Sequence, residues 1–281
     1  MAQNPESSEY DGMPRSAIGT GLVDFELPPA EMPDKLIAYV NQAFGKYQSR
    51  RPVAKKPESE NTLKKIFVML RSQTGHDFSN YKSSTIQRRI ERRMAVNQID
   101  NMEDYLKFIR TAPEEVNALF SDMLIGVTSF FRDPEAFEVL EEEIIPKLLD
   151  TKNSDASIRI WVPGCSTGEE AYSLAILLAE AQEDLKENYR VLIFATDIDS
   201  QAIATARAGI YPASIAADLS SERLTRFFSP QPGDSTFRIK KNIRDMLVFS
   251  EQNVIKDPPF SKLDLISCRN LLIYLNGDLQ K

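Results

Sequence analysis

The sequence predicts an α/β protein, a doubly wound domain of nucleotide-site type with a small antiparallel β insertion, preceded by an all-α domain. Three observations lead there. Residues 158–176 read as a buried strand, a tight glycine turn and an amphipathic helix, and a second apolar strand, Val191 to Ala195, runs into Asp197. Between 61 and 149 apolar residues recur at helical spacing. From Ile158 onward strand and helix patterns alternate, which implies a parallel sheet with helices packed on it.

Taken in order, Leu27-Pro28-Pro29 leads into a short helix from Met32 to Val40. Residues 45–60 lose apolar periodicity and carry Lys46, Arg50, Arg51, Pro52, Lys55, Lys56 and Pro57, a linker composition. Leu63, Ile66, Phe67 and Leu70 then form one stripe, with Asn61 as its N-cap. Ile86, Ile90 and Met94 form a second, and Tyr105, Leu106 and Ile109 a third. Val116, Leu119, Phe120 and Met123 follow Pro113 in a fourth helix. Phe137, Leu140, Ile144 and Ile145 mark a fifth, entered through Asp133-Pro134. After the second apolar strand, Thr236 to Lys240 and Ile243 to Phe249 read as an antiparallel pair, an insertion at about 227–250. Leu263 to Ser267 reads as a further buried parallel strand. Three clear parallel strands are fewer than a doubly wound domain needs, so a C-terminal truncation is expected.

Composition narrows the function classes. The 281 residues are 42% hydrophobic and 27% charged, with a net charge of −7, so bulk nucleic-acid binding is not suggested. No run approaches the roughly 18 apolar residues of a membrane span. Residues 1–30 lack a basic start and an apolar core, so no secretory signal is expected and a cytoplasmic setting is. Cys165, Cys268 and the single His76 cannot supply a zinc cage or a disulfide framework, and no metal is expected.

The glycine turn carries the chemistry. Gly164 and Gly168 permit a sharp turn and a close backbone approach to a ligand. No Lys follows Gly168, so the phosphate-loop pattern fails. The next helix opens instead with Glu169 and Glu170. Two readings stand here: the acids favour the first helical turn electrostatically, or they hold a cationic ligand without phosphate, as S-adenosylmethionine is. Residues 164–168 also match G-x-S-x-G, but His76 lies upstream of Ser166, so the hydrolase reading fails within this chain. Residues 82–93 hold Lys82, Arg88, Arg89, Arg92 and Arg93 against Glu91 alone. Helical spacing turns Arg88, Arg89 and Arg92 away from the Ile86/Ile90/Met94 stripe. That face is either solvated or a docking surface for an acidic partner.

Four stretches, Val127–Asp133 (VTSFFRD), Gly164–Glu170 (GCSTGEE), Ala195–Asp199 (ATDID) and Ser267–Leu275 (SCRNLLIYL), together resemble the chemotaxis receptor methyltransferases, the CheR family, over about residues 60–281. Gly12–Ile18 and Gly21–Pro28 resemble the C-terminal tail of the receptor methylesterase, so the chain looks like an excerpt of an esterase–transferase fusion. The resemblance implies a methylesterase remnant at 1–44, a linker at 45–60 and a helical receptor-recognition domain at 61–149. It implies an incomplete Rossmann-like S-adenosylmethionine-dependent methyltransferase domain at 150–281. The implied activity is O-methylation of chemoreceptor glutamates, the partner being the acidic cytoplasmic helices of the receptor. No esterase activity is expected of this chain. The alternative is a catalytically weak receptor-docking or cofactor-sensing module.

By the same resemblance, Arg132 and Tyr274 are the catalytic pair. Thr128, Arg132, Gly164, Glu170, Asp197, Asn253, Val254, Arg269 and Asn270 contact the cofactor. Lys82, Arg89 and Arg92 contact the receptor. The family motif often has Asn two residues before the Thr, where this chain has Gly126, which implies a missing side-chain contact.

Overall fold

The computed structural model describes residues 1–19, 23–44, 57–124, 126–150, 157–186, 189–232 and 235–280. The chain divides into two compact units, Met1–Leu124 with Tyr274–Lys281, and Ile125–Ile273.

The first unit begins with two short parallel strands, β1 (Ala2–Gln3) and β2 (Glu26–Leu27), around α1 (Gly12–Gly19). Then come α2 (Met32–Phe44), α3 (Pro57–Thr74), α4 (Ser83–Val96), α5 (Met102–Thr111) and α6 (Pro113–Met123). The predicted stripes face inward: Ile66, Leu70, Ile86, Ile90, Tyr105 and Leu119 are buried in one cluster with Phe78. Cavity formation would make truncation of any of these cost about 2–5 kcal/mol. The linker expected at 45–60 falls mostly outside the described residues, but its last four positions are the first turn of α3. Asn61 is therefore inside that helix rather than its N-cap, because Pro57, with no N–H to satisfy, opens the helix one turn earlier. Asn101 does cap α5, accepting the Asp104 N–H at 2.9 Å.

In the second unit, β3 (Ser157–Pro163), β4 (Arg190–Asp197), β8 (Leu247–Glu251) and β9 (Leu265–Ile266) form a parallel sheet in the order β8-β4-β3-β9. Ile158, Ile160, Val162, Ile193 and Ala195 are essentially inaccessible, the pattern of a sheet covered on both faces. Helices α9 (Glu169–Leu185) and α10 (Ser200–Ala208) follow β3 and β4. The antiparallel insertion is present with a different membership. It pairs β5 (Ile210–Pro212), β7 (Thr236–Ile239) and β6 (Phe228–Pro230), with α11 (Ser221–Phe227) between β5 and β6. The stretch expected to hairpin with β7 instead forms α12 (Lys241–Arg244) and then β8, which joins the central sheet beside β4. The Leu263–Ser267 strand shrinks to β9 at the sheet edge, where Ile266 is exposed.

The fifth predicted helix is α7 (Pro134–Val139) and α8 (Ile145–Asp150), joined by a π-helical turn at Leu140–Ile144. Pro146 has no N–H to close the α-helical ladder, so the helix widens just before it. This helix was expected in the helical domain ending at 149, but Phe137, Ile145 and Leu149 pack into the core around the sheet. Its stripe matched an all-α core as well as a sheet face, since periodicity shows which side is apolar and not what covers it.

Candidate functional site

All four sheet strands run the same way, so the loops at their C-terminal ends gather at one edge of the second unit. The register places Pro163 beside Thr196 and Asp197 beside Glu251. Gly164, Glu170, Asp197, Asn253, Val254, Arg269 and Asn270 all lie on or just after these ends.

The turn after β3 needs its glycines. Gly164 has φ +69° and Gly168 φ +97°, the left-handed region that favours glycine. A Cβ on Gly168 would stand 2.9 Å from the Ala206 Cβ and 3.1 Å from the Phe249 ring. The loop is tied to β4 by the Cys165 N–H on the Thr196 carbonyl, 3.0 Å, and the Ser166 N–H on Asp197 Oδ2, 2.7 Å. Asp197 Oδ1 accepts the Asp199 N–H at 2.9 Å. Asp199 in turn caps α10, accepting from the Gln201 and Ala202 N–H groups. The two acids thus divide the work: Asp199 starts the helix and Asp197 faces the turn.

Three carboxylates crowd this edge. Burial pushes Glu169, Glu170 and Asp197 above their ordinary values. Backbone N–H groups partly offset this for Asp197. Glu170 Oε1 accepts the Ser267 hydroxyl at 2.6 Å, and the positive charges of Arg269 and Arg132 pull against its burial. Glu169 holds the Thr167 hydroxyl at 2.9 and 2.7 Å, and the nearby Thr128 side chain also favours its ionised form against burial.

The 126–133 segment is fastened over the start of α9. Phe130 is buried edge-on to Tyr211 and Phe228, and Phe131 is buried against Phe137. The Phe131 N–H donates to Ser173 Oγ at 3.0 Å, which donates to the Glu169 carbonyl at 2.7 Å. Phe131 and Asp133 both adopt positive φ, so the segment turns sharply on either side of Arg132. Arg132 Nη1 donates to the Val127 carbonyl at 2.6 Å. Arg269, rather than Arg132, pairs with Asp133, at 2.8 Å, and its Nη2 also donates to the Arg132 carbonyl at 2.7 Å.

The structure links Arg132 to Arg269, sets the Arg132 and Arg269 charges against Glu170, and ties Asp197 to the Gly164–Gly168 turn, while Asn253, Val254 and Asn270 follow the ends of neighbouring strands. Asn253 Oδ1 caps its own turn by accepting the Ile255 N–H at 3.0 Å, and Asn270 sits at φ +60°. Tyr274 falls in the first unit, where its carbonyl accepts the Lys82 N–H at 2.9 Å. Of the basic helix, Lys82 and Arg88 are exposed and Arg89 is half-buried. Arg92 does not present a bare guanidinium. It bonds Asp24 at 2.7 Å and also bonds Asp122. Spacing turned Arg92 off the apolar stripe but could not show that acids from two other segments meet it there. Ser173 and Ser267 escaped the sequence reading as site residues, whereas Glu169 was read with Glu170 as a candidate ligand acid. Ser173 lies one turn after Glu169, and Ser267 opens a quoted motif, so a polar residue at the start of each was the available signal.

An acid-lined turn at the ends of parallel strands, with no lysine in the loop, fits a ligand carrying positive charge and hydroxyl groups. Comparison with known proteins agrees. Residues 126–281 match the CheR methyltransferase SAM-binding domain, 61–124 the CheR all-alpha domain, and 1–36 the CheB methylesterase. An uncharacterised 104.1 kDa protein of Rhodobacter capsulatus is 37% identical across 100% of this chain, which spans only 31% of that protein. A chemotaxis protein methyltransferase of Borreliella burgdorferi is 32% identical over 78% of this chain and 79% of its own length. One from Salmonella typhimurium is 28% identical over 79% and 76%.

Proposed function

The chain belongs to the CheR methyltransferase family, and from that premise we propose that it methylates glutamate side chains of a chemoreceptor with S-adenosylmethionine as methyl donor. The observation that carries this reading is the convergence of Glu170, Asp197, Arg132 and Arg269 on one acid-lined turn. S-adenosylmethionine supplies an electrophilic methyl group bound to a sulfonium. Asp197 is assigned its ribose hydroxyls, Glu170 its ammonium and the Asn253–Val254 turn the segment beside its adenine, while Arg269 and Asn270 are assigned a further contact with it. Gly164 supplies the positive φ of the turn, with the Leu271 side chain 3.3 Å from where a Cβ would stand, and Thr128 is assigned to the segment that closes over the cofactor. Arg269 acts partly through its neighbours, since it fixes the Arg132 backbone and Asp133.

The acceptor needs no general base. A glutamate of reference pKa about 4.3 is already ionised at neutral pH. What the chain must provide is alignment of the carboxylate and exclusion of water. Arg132 suits that task because a guanidinium can clamp one carboxylate oxygen and leave the other to attack. Its tie to the Val127 carbonyl holds it poised on the closing segment. Lys82 and Arg89 are assigned the receptor surface, whereas Tyr274, which belongs to the first unit with them, is given no part in the cofactor turn.

The test is transfer of radiolabelled methyl to a receptor cytoplasmic fragment. Wild type should label glutamates, with ester formation reversed by base. Arg132→Lys should keep S-adenosylhomocysteine binding within about threefold yet lose roughly a hundredfold in kcat. Wild-type turnover by that variant would remove the clamp from the mechanism. Cofactor binding without any methyl transfer would favour the docking-module reading instead.

A further inference from the structure

The methylesterase-like segment and the basic helix belong to the same unit, and they meet through charge. Asp24 lies within the segment that matches the methylesterase. Its Oδ2 receives Arg92 Nη2 at 2.7 Å, and its Oδ1 receives Arg93 Nη1 at 2.9 Å. Nearby, α2 packs along α4, and Gln42 donates to the Ile99 carbonyl at 3.0 Å and to Asp100 at 2.9 Å. The segment is therefore seated on the helical domain.

The charges at the contact are not balanced. Arg92 and Arg93 face three carboxylates, Asp24, Glu115 and Asp122. Glu115 takes Arg93 in a two-pronged grip, Nε at 2.9 Å and Nη2 at 2.6 Å, and also receives the Tyr105 hydroxyl at 2.8 Å. That pair is complete without Asp24. Asp122 rises above its ordinary value through burial, with the charge of Asp24 adding to the effect against the pull of Arg92. Asp24 is thus the third acid on two guanidiniums. Glu115 and Asp122 are fixed on α6, whereas Asp24 sits in the loop before β2. It is the member that another acid can replace without changing the net charge of the cluster.

We propose that Asp24 is an internal stand-in for an acidic partner: the methylesterase-like segment covers the Arg92 end of α4, and an acidic receptor helix displaces it there. The inference rests on the proposed receptor reading of α4. It predicts that the surface open to a receptor before displacement is the Lys82–Arg89 end, and that Arg92 is recruited only when the segment lifts.

Asp24→Asn tests this in the whole chain, because the amide keeps the size of the side chain while losing its charge. The KM for a receptor fragment carrying glutamate methylation sites should fall roughly three- to tenfold, with the S-adenosylhomocysteine Kd unchanged. The gain should vanish in the Asp24→Asn, Arg92→Gln double variant. Hydrogen exchange on the wild-type chain supplies a readout independent of the variant's folding. The Ala2 and Asn4 amides bond to the Phe25 and Leu27 carbonyls, and their exchange should quicken when the receptor fragment binds. An unchanged or higher KM, or unchanged exchange on binding, overturns the stand-in role while wild-type methylation keeps the functional reading intact. If neither wild type nor Asp24→Asn binds the fragment, both fall.

Discussion

The two units hold their buried charges in opposite ways. Around Arg92 and Arg93 every guanidinium meets a carboxylate within 3 Å, and the Arg93 and Glu115 side chains are 10% and 6% exposed. At the sheet edge, Glu170 has a hydroxyl from Ser267, and arginines act on it only through their field. In the first, closed arrangement every ion already has a partner, which joins α4, α6 and the Asp24 loop, so an outside acid enters only in exchange for Asp24. The second is open, with carboxylates held in a low-dielectric setting where an incoming cation gains most. Buried acid therefore marks a ligand site only where its counter-charge is not supplied from within.

That contrast can be broken first at its closed end. Arg93→Leu leaves Glu115 buried without a counter-ion, and loss of one partner of such a pair costs about 3–5 kcal/mol. Urea unfolding should show that loss in the helical unit. A change under about 1 kcal/mol would mean that the pair contributes little.

The open end is tested by ligand rather than by unfolding. Glu170→Gln should weaken S-adenosylhomocysteine by about 1.5–3 kcal/mol, roughly ten- to a hundredfold, as expected for a hydrogen bond to a charged group. The pH dependence follows from the raised values of Glu170 and Asp197. Relative to the unfolded chain, both favour the ligand-free fold fully below their ordinary values of 4.5 and 3.8. That contribution is lost as pH rises through the raised values. A ligand ammonium reverses the preference because it binds the ionised form. Affinity should therefore climb with pH across the acidic range, and Glu170→Gln should flatten the climb. Calorimetry at several pH values that gave a flat wild-type profile would detach these acids from the ligand.

The smallest expected effect sharpens the same site. Gly126 has no left-handed φ, and a Cβ there meets only Ser166 Oγ at 3.5 Å. The backbone thus accepts the Asn that the family often carries. Gly126→Asn should tighten S-adenosylhomocysteine by about 0.5–1.5 kcal/mol, the net value of one hydrogen bond. Weaker binding would show that the glycine is needed for another reason.

Much of the site was legible because its rules are local. Gly168 announces a positive φ, Asp197 stands at a strand tip, and Asp199 precedes a helix as a cap should. Less of the sheet was legible. β8 reads as a hairpin partner for β7 because both are short and apolar, yet it joins β4, with Asp197 opposite Glu251. Phe137 and Leu149 form a helical stripe in either domain, and only packing assigned them to the sheet.

By itself the sequence determined the strand–glycine turn–helix, the acids at its mouth and the apolar stripes of α3–α6. Each depends on backbone sterics or on a period repeated within a dozen residues. Tertiary structure alone decided which charges are answered. Ser267 reaches Glu170 across 97 positions, Arg269 reaches Asp133 across 136, and Arg92 reaches Asp24 across 68. No local preference encodes such a pairing, because a carboxylate attracts any cation and the fold chooses which one comes within 3 Å.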